Sequence, residues 1–312
     1  MTEQHPLVSV VVTTRNEERN IVNCLKSIAA QTWPNVEVIV VDNQSTDKTK
    51  ELARRITDKV FEKGPERSAQ RNFGITQVAS GEYAMFVDAD MLLAPSLVEK
   101  CVEAMQEPQI VALHVDEIVL GRGLLARIRR FERSFYSGTI IDGIRFFKRD
   151  LFIDVGGFDE HLPPGPEDWD LDKRFKQHGN LLLVKTSGGA QTIELDEFVK
   201  ARGVKPQTGF VGIYHNEDAQ TLTQYLAKKT YYSGGLVSYR AKWGSKDADI
   251  RLQLSPVYRL AGVFVEKGRW RKLAVRPDLA LSMLILRLLV GIRYFLATQK
   301  RRAHAQNLNT PN

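Results

Sequence analysis

Residues 7–13, LVSVVVT, run apolar and β-branched without a break. The segment 16–31 then switches period and places Ile21, Cys24, Leu25 and Ile28 on one helical face. The same switch recurs. VEVIVVD at 36–42 precedes a helical segment at 47–56, and the helical pattern of 67–79 leads into an apolar strand at 83–88. Strands that are apolar along their whole length and alternate with helices predict an α/β fold, a mixed and mostly parallel Rossmann-like sheet covered on both faces. Ligands of such sheets gather at the carboxyl ends of the strands, where loops and helix N-termini share a crevice. Those ends are polar here: Thr13, Thr14, Arg15 and Asn16 follow the first strand, Asp42, Asn43, Ser45 and Asp47 the second, and Asp88 and Asp90 the strand at 83–88.

Further along, the pattern predicts a helix from about Pro95 to Met105 and a strand within QIVALHVDEIVL, 109–120. In GLLARIRRFERSFYSG, 123–138, Leu124, Leu125, Ile128, Phe131 and Phe135 share one helical face, and Arg127, Arg129, Arg130 and Arg133 lie on the other. Such a helix suits a membrane surface, and equally a helix packed on the domain with a solvated basic face. The stretch 279–297 approaches membrane-spanning length, but Arg287 near its centre and Arg293 after it favour an interfacial or re-entrant helix over a simple span. A buried helical hairpin is the alternative. The KRR at 300–302 would meet anionic headgroups, and the last residues, AQNLNTPN, read as a frayed tail. The expected organisation is one α/β domain over 1–220, in two halves at about 7–95 and about 96–220. A helical extension over 221–312 follows, with its amphipathic helix at about 273–298.

Composition narrows the partners. The chain has 312 residues, 43% hydrophobic and 26% charged, with 44 Lys and Arg against 37 Asp and Glu for a net charge of +7. That excess favours an anionic partner such as a nucleotide or a phospholipid surface. No motif with base-reading spacing is present, so nucleic acid is not expected. Cys24 and Cys101 sit among apolar residues and read as packed free thiols suited to a reducing cytoplasm. The opening MTEQHP lacks a basic region before a long apolar run, so secretion is not expected.

Three clusters carry candidate chemistry. Asp88-Ala89-Asp90 at a strand end offers hard oxygen ligands to Mn2+ or Mg2+, although two acids there can also cap the next helix or face water. In GPERSAQRNFG, 64–74, Arg67 and Arg71 near a helix start can meet a diphosphate, or lie on a solvated face. Glu167, Asp168 and Asp170 open a helix after a Pro- and Gly-rich loop, and capping accounts for one of the three carboxylates.

Five segments, VSVVVTTRNEERNIVNCLKSI, VEVIVVDNQSTDKT, GPERSAQRNFG, GEYAMFVDADMLLAP and VGGFDEHLPPGPEDWDLDKRF, resemble in order and spacing the inverting family 2 glycosyltransferases of the nucleotide-sugar-binding GT-A fold, over about 7–215. The resemblance implies that Thr13, Asn16 and Glu17 meet the nucleotide, Asp42 the base, commonly uracil, and Arg71 and Asn72 the diphosphate. It implies Asp90 as metal ligand, Asp88 on ribose or metal, and Asp168 as general base with Glu167 as its neighbour. His215 lies near the position where relatives complete the metal shell, and a structural role for it is equally open.

The chain departs from the family where TTRNEE lacks an aromatic before Asn16 and where Gln70 replaces a small residue. The implied activity is transfer from a nucleoside-diphosphate sugar, UDP-sugar foremost, to a hydroxyl of a polyprenyl-linked or cell-envelope glycan. It would occur on the cytoplasmic face of the cell membrane, with the protein held peripherally. A sugar nucleotidyltransferase is the rival enzyme, but TTRNEERN lacks the glycine-rich loop over the phosphates that such enzymes use. A catalytically silent membrane-surface protein of the same fold is the non-enzymatic alternative.

Overall fold

The computed structural model describes residues 5–308. Strand β1, Val8–Thr14, is buried at every position, as a valine-rich strand at the centre of a two-faced sheet must be. It is flanked by β2, Val36–Asp42, and β4, Tyr83–Asp88, while β3, Val60–Glu62, lies outside β2. With β6, Ile110–His114, β8, Ile144–Lys148, and β9, Asn180–Leu183, they form a seven-stranded sheet in the order β3-β2-β1-β4-β8-β6-β9. Only β8 runs antiparallel to its neighbours. The expected mixed, mostly parallel α/β architecture is present.

The stretch 109–120 is two strands rather than one. The chain turns at Val115–Asp116, and β7, Glu117–Leu120, leaves for a second sheet of three strands. There β10, Ile213–Asn216, lies between β7 and β5, Met91–Leu93. Asp116 makes the turn possible: its Oδ1 accepts from the Glu117 amide and the Ser137 hydroxyl, and its carbonyl accepts from the Ile213 amide at 2.9 Å. Apolar alternation alone could not show this, because both halves are buried.

Helices cover both faces of the large sheet. Ile21, Leu25, Leu97 and Cys101 pack on one side, and Ile75, Phe152, Leu171 and Phe175 on the other. Cys24 and Cys101 are buried free thiols in the first of these cores, as expected.

The helix Leu124–Arg133 corrects the expectation of a basic face open to water or membrane. Arg129 and Arg133 are drawn inward to Glu132 and Glu217, and to Glu117 and Asp142, while Arg130 bonds the carbonyls of Val119 and Gly121. Arg127 stays exposed, and so does Leu124, from the apolar face. Carboxylates contributed by distant segments overrode the local amphipathic pattern.

A third core joins this helix to the C-terminal region through Ile128, Phe135, Tyr225, Phe264, Leu279, Met283 and Leu286. The expected helix at about 273–298 is broken at Arg276, between a short helix Trp270–Val275 and the long helix Pro277–Leu308. Residues 277–297 are long and apolar enough to cross a membrane. One stripe of that helix packs inward, while Leu281, Ile285, Leu288, Ile292 and Phe295 stay exposed. Arg287 points to the protein rather than outward, bonding Glu132 at 2.7 Å and the Tyr136 hydroxyl. The side chains of KRR and the end of the expected frayed tail lie outside the described residues.

Candidate active site

The parallel ladders pair Thr14 with Asp42 and Thr13 with Asp88, so the ends of β1, β2 and β4 present these side chains along one edge. Asp42 is fully buried; its Oδ2 accepts from the Ser45 amide at 2.7 Å, and its Oδ1 has no partner. Asn16 adopts a left-handed φ of 56°, and its Oδ1 accepts from the Thr46 amide at 2.8 Å, tying the first loop to the second. Gln70 donates to the carbonyls of Thr14 and Val41 at 3.1 and 2.6 Å, a clamp on two strand ends that a small residue could not supply. Glu17 is bonded by Asn20 at 2.7 Å; burial raises its pKa, and the nearby Asp90 and Asp88 add to the rise.

Asp88 and Asp168 meet through one cation. Arg71, 1% exposed, donates from Nη2 to Asp88 Oδ1 and from Nη1 to Asp168 Oδ1, both at 3.1 Å. Its guanidinium lies 4.2 Å from the Phe86 ring centroid and 5.2 Å from that of Phe158. Thr13 also donates to Asp88 Oδ1, at 3.0 Å. Burial favours the neutral form of Asp88, but Arg71, Arg145 and Arg67 outweigh it and hold the carboxyl well below the usual range. Ala89 is a buried spacer whose amide donates to the Thr13 carbonyl.

Three expected residues do other work. Arg67 turns onto Glu167, with Nε at 2.8 Å, and onto the Tyr232 hydroxyl at 3.1 Å, because a fully buried carboxylate requires a counter-charge. Glu167 also accepts from the Gly165 amide, so it fixes the loop before the helix Glu167–Phe175 and is closed to a ligand. Asn72 spends its whole amide on the loop opposite, bonding the carbonyl and amide of Phe158 and the Glu160 carboxylate.

Asp90 Oδ2 lies 3.2 Å from His215 Nε2, and His215 Nδ1 lies 2.8 Å from Glu117 Oε1, so the small sheet brings all three together. Burial lowers the His215 pKa, but Asp90 and Glu117 outweigh it and raise it well above the usual value. Asp90 Oδ1 is buried without a partner. Among the described residues no group of three or more His, Cys, Asp or Glu is close enough to hold an ion. Asp88, expected as a third ligand, is committed through Oδ1 to Arg71 and Thr13. Two ligands and an orphaned oxygen still fit Mn2+ or Mg2+, which keep waters and take phosphate oxygens.

Sequence reasoning missed Glu117, Arg145 and Gly143. Glu117 is an acid on a fully buried strand, a signal that was readable. Arg145 lies 5.2 Å from the Phe86 ring, with Nη1 buried and unpartnered. Gly143 leaves room for Asp168: a Cβ there would meet Asp168 Cβ at 2.7 Å.

Residues 9–158 match the family described as Glycosyl transferase family 2. The chain is 32% identical to Glycosyltransferase AglE of Haloferax volcanii over 183 residues, which are 53% of this chain and 60% of that one. It is 33% identical to Glycosyltransferase GlyG of Streptococcus pneumoniae over 108 residues, 32% of this chain and 36% of that one. The chain thus spans about a third to three fifths of these relatives' lengths. A mannosyltransferase from Pyrobaculum calidifontis, solved with GDP-Man and Mn2+, superposes with a TM-score of 0.58 at 19% identity, covering 94% of this chain and 88% of that one. S. aureus TarS 1–349 in complex with UDP-GlcNAc superposes with a TM-score of 0.52 at 17% identity, covering 96% and 92%. At these identities the likeness concerns the fold.

Proposed function

We propose that this chain, which matches Glycosyl transferase family 2 over residues 9–158, is a glycosyltransferase that moves a sugar from a nucleoside diphosphate, UDP foremost, to an acceptor hydroxyl with inversion. The observation that carries this reading is the gathering of Thr14 Oγ1, Asp42 Oδ1 and Asp90 Oδ1, all buried without partners, on one sheet edge. Each costs about 1–3 kcal/mol unless a ligand completes it.

Asp42 then takes the base, Thr13, Asn16 and Glu17 line the nucleotide, and Asp88 takes a ribose or sugar hydroxyl. Asp90 and His215 would hold Mn2+ or Mg2+, whose charge, when bound, offsets that of the departing diphosphate. Asp168 Oδ1 is held by Arg71, leaving Oδ2 to take the acceptor proton. The acceptor oxygen forms its bond to the anomeric carbon as the bond to the diphosphate oxygen breaks, and the electron pair leaves on the nucleoside diphosphate. Back-side attack inverts the centre. Residues 1–220 would form the catalytic body and 221–312 an extension whose exposed C-terminal stripe rests on the cytoplasmic face of the cell membrane, where a lipid-linked or cell-envelope glycan serves as acceptor.

The test is donor turnover by purified protein with UDP- and GDP-sugars in Mn2+, against EDTA and Asp90→Ala. Loss of at least about 10²-fold is expected in both, from the several kcal/mol a Lewis acid supplies. Full turnover in both would sink the metal-bound donor site. Gly143→Ala is expected to push Asp168 aside and lower kcat by about 10- to 100-fold with nucleotide affinity unchanged. Parallel titration with UDP and steady-state kinetics separates the two effects.

A further inference from the structure

Four cations, Arg129, Lys229, Arg259 and Arg287, converge between the helices Leu124–Arg133, Leu222–Tyr232 and Pro277–Leu308 and the turn Tyr258–Gly262. Arg129 and Lys229 stand 4.8 and 5.5 Å from the Tyr225 ring centroid, and Arg287 stands 6.0 Å from that of Tyr136. The carboxylates that face them are Glu132, bonded by Arg129 and Arg287, and Glu217, bonded by Arg129. Two negative charges therefore answer four positive ones. The side chains of Lys229 and Arg259 make no hydrogen bond or ion pair among the described residues, and Arg287 Nε is buried without a partner. Burial first, then Arg129 and Arg259, lower the Lys229 pKa to about 7. Lys229, Arg259 and Arg287 are half-buried, and a cationic cluster partly withdrawn from water and short of counter-charge favours an anion.

Two neighbouring features say what that anion carries. A groove of about 280 Å³ is lined by Leu260, Leu288, Gly291, Ile292, Phe295 and Arg287 itself, so the apolar trough begins where the charge ends. On the other side the Arg259 guanidinium lies 5.4 Å from the ring of Trp169, the residue after Asp168. Positive charge thus lies beside both the apolar channel and the helix that carries Asp168.

We propose that Lys229, Arg259 and Arg287 bind the phosphate of a lipid-phosphate acceptor, with the adjoining groove taking the first part of its chain. This assignment rests on the glycosyltransferase reading and names the class of acceptor. The phosphate sits in the cationic cluster, the chain leaves along the C-terminal helix, and a group esterified to that phosphate carries the hydroxyl that reaches Asp168. None of these three cations belongs to the donor site.

Full-length protein is titrated with farnesyl phosphate, farnesol and inorganic phosphate. Farnesyl phosphate is expected to bind at least about tenfold more tightly than either fragment, and Lys229→Ala and Arg259→Ala to weaken it by about tenfold each, the worth of one charge-assisted contact. Lys229→Arg should restore most of the loss. Ligand-free Lys229→Met is expected to melt no lower than wild type, since it removes an unanswered charge. A clear fall would make the lysine a structural cation and overturn the proposal. Equal affinity for farnesol or for inorganic phosphate, or unchanged farnesyl phosphate affinity in both alanine variants, would also overturn it. Absence of any donor turnover by wild-type protein would instead overturn the glycosyltransferase reading, because the farnesyl phosphate titration needs no donor.

Discussion

Asp168→Asn is expected to lower the rate of sugar transfer by about 10³-fold while leaving nucleoside diphosphate affinity within about twofold. The amide keeps the shape of the side chain and can still accept from Arg71 Nη1, now 3.1 Å from Oδ1, but it cannot take a proton from an acceptor hydroxyl. General base catalysis is worth about 10²–10⁴ in rate, and the whole of that is at risk. Donor binding should survive because the edge built by Thr13, Asp42 and Asp90 does not include Asp168. Steady-state kinetics and a UDP titration on the same preparation read both quantities. Retained turnover would move the base elsewhere, and lost UDP affinity would mean that Asp168 belongs to the donor pocket.

The second large effect is on the fold. Arg71→Ala is expected to destabilise the protein by about 3 kcal/mol, read as a lower midpoint in urea, and to abolish turnover even at temperatures where it stays folded. The guanidinium packs against the rings of Phe86 and Phe158 and answers two carboxylates, so its removal leaves a void and a repelling pair. Both carboxylates are about a quarter exposed and can regain some water, which keeps the loss at the lower end for a broken buried pair. Arg71→Lys should recover part of the stability but little of the rate, since a single ammonium cannot form the fork that sets both acids. Wild-type stability in Arg71→Ala would show that the two carboxylates need no common counter-charge.

The sheet and the donor edge were legible because their signals are local. Leu7 and four valines followed by Thr13 to Asn16, or Phe86-Val87-Asp88, carry both the strand and its polar end in one short window. What stayed hidden depends on partners far along the chain. Arg67 and Arg71 have the same helical setting in the sequence, yet one is captured by Glu167 and the other by Asp88 and Asp168. The arginines of 127–133 read as a basic face until Glu117, Glu132, Asp142 and Glu217 turn Arg129 and Arg133 inward. His215 was visible as a candidate, but Glu117, which orients its ring, sits on a strand that looked continuous with its neighbour.

One guanidinium serves two acids from different segments, Asp88 at the end of β4 and Asp168 on the helix Glu167–Phe175. The donor edge and the acceptor-side acid are therefore one mechanical unit, and a substitution at either acid is felt at the other through the position of Arg71.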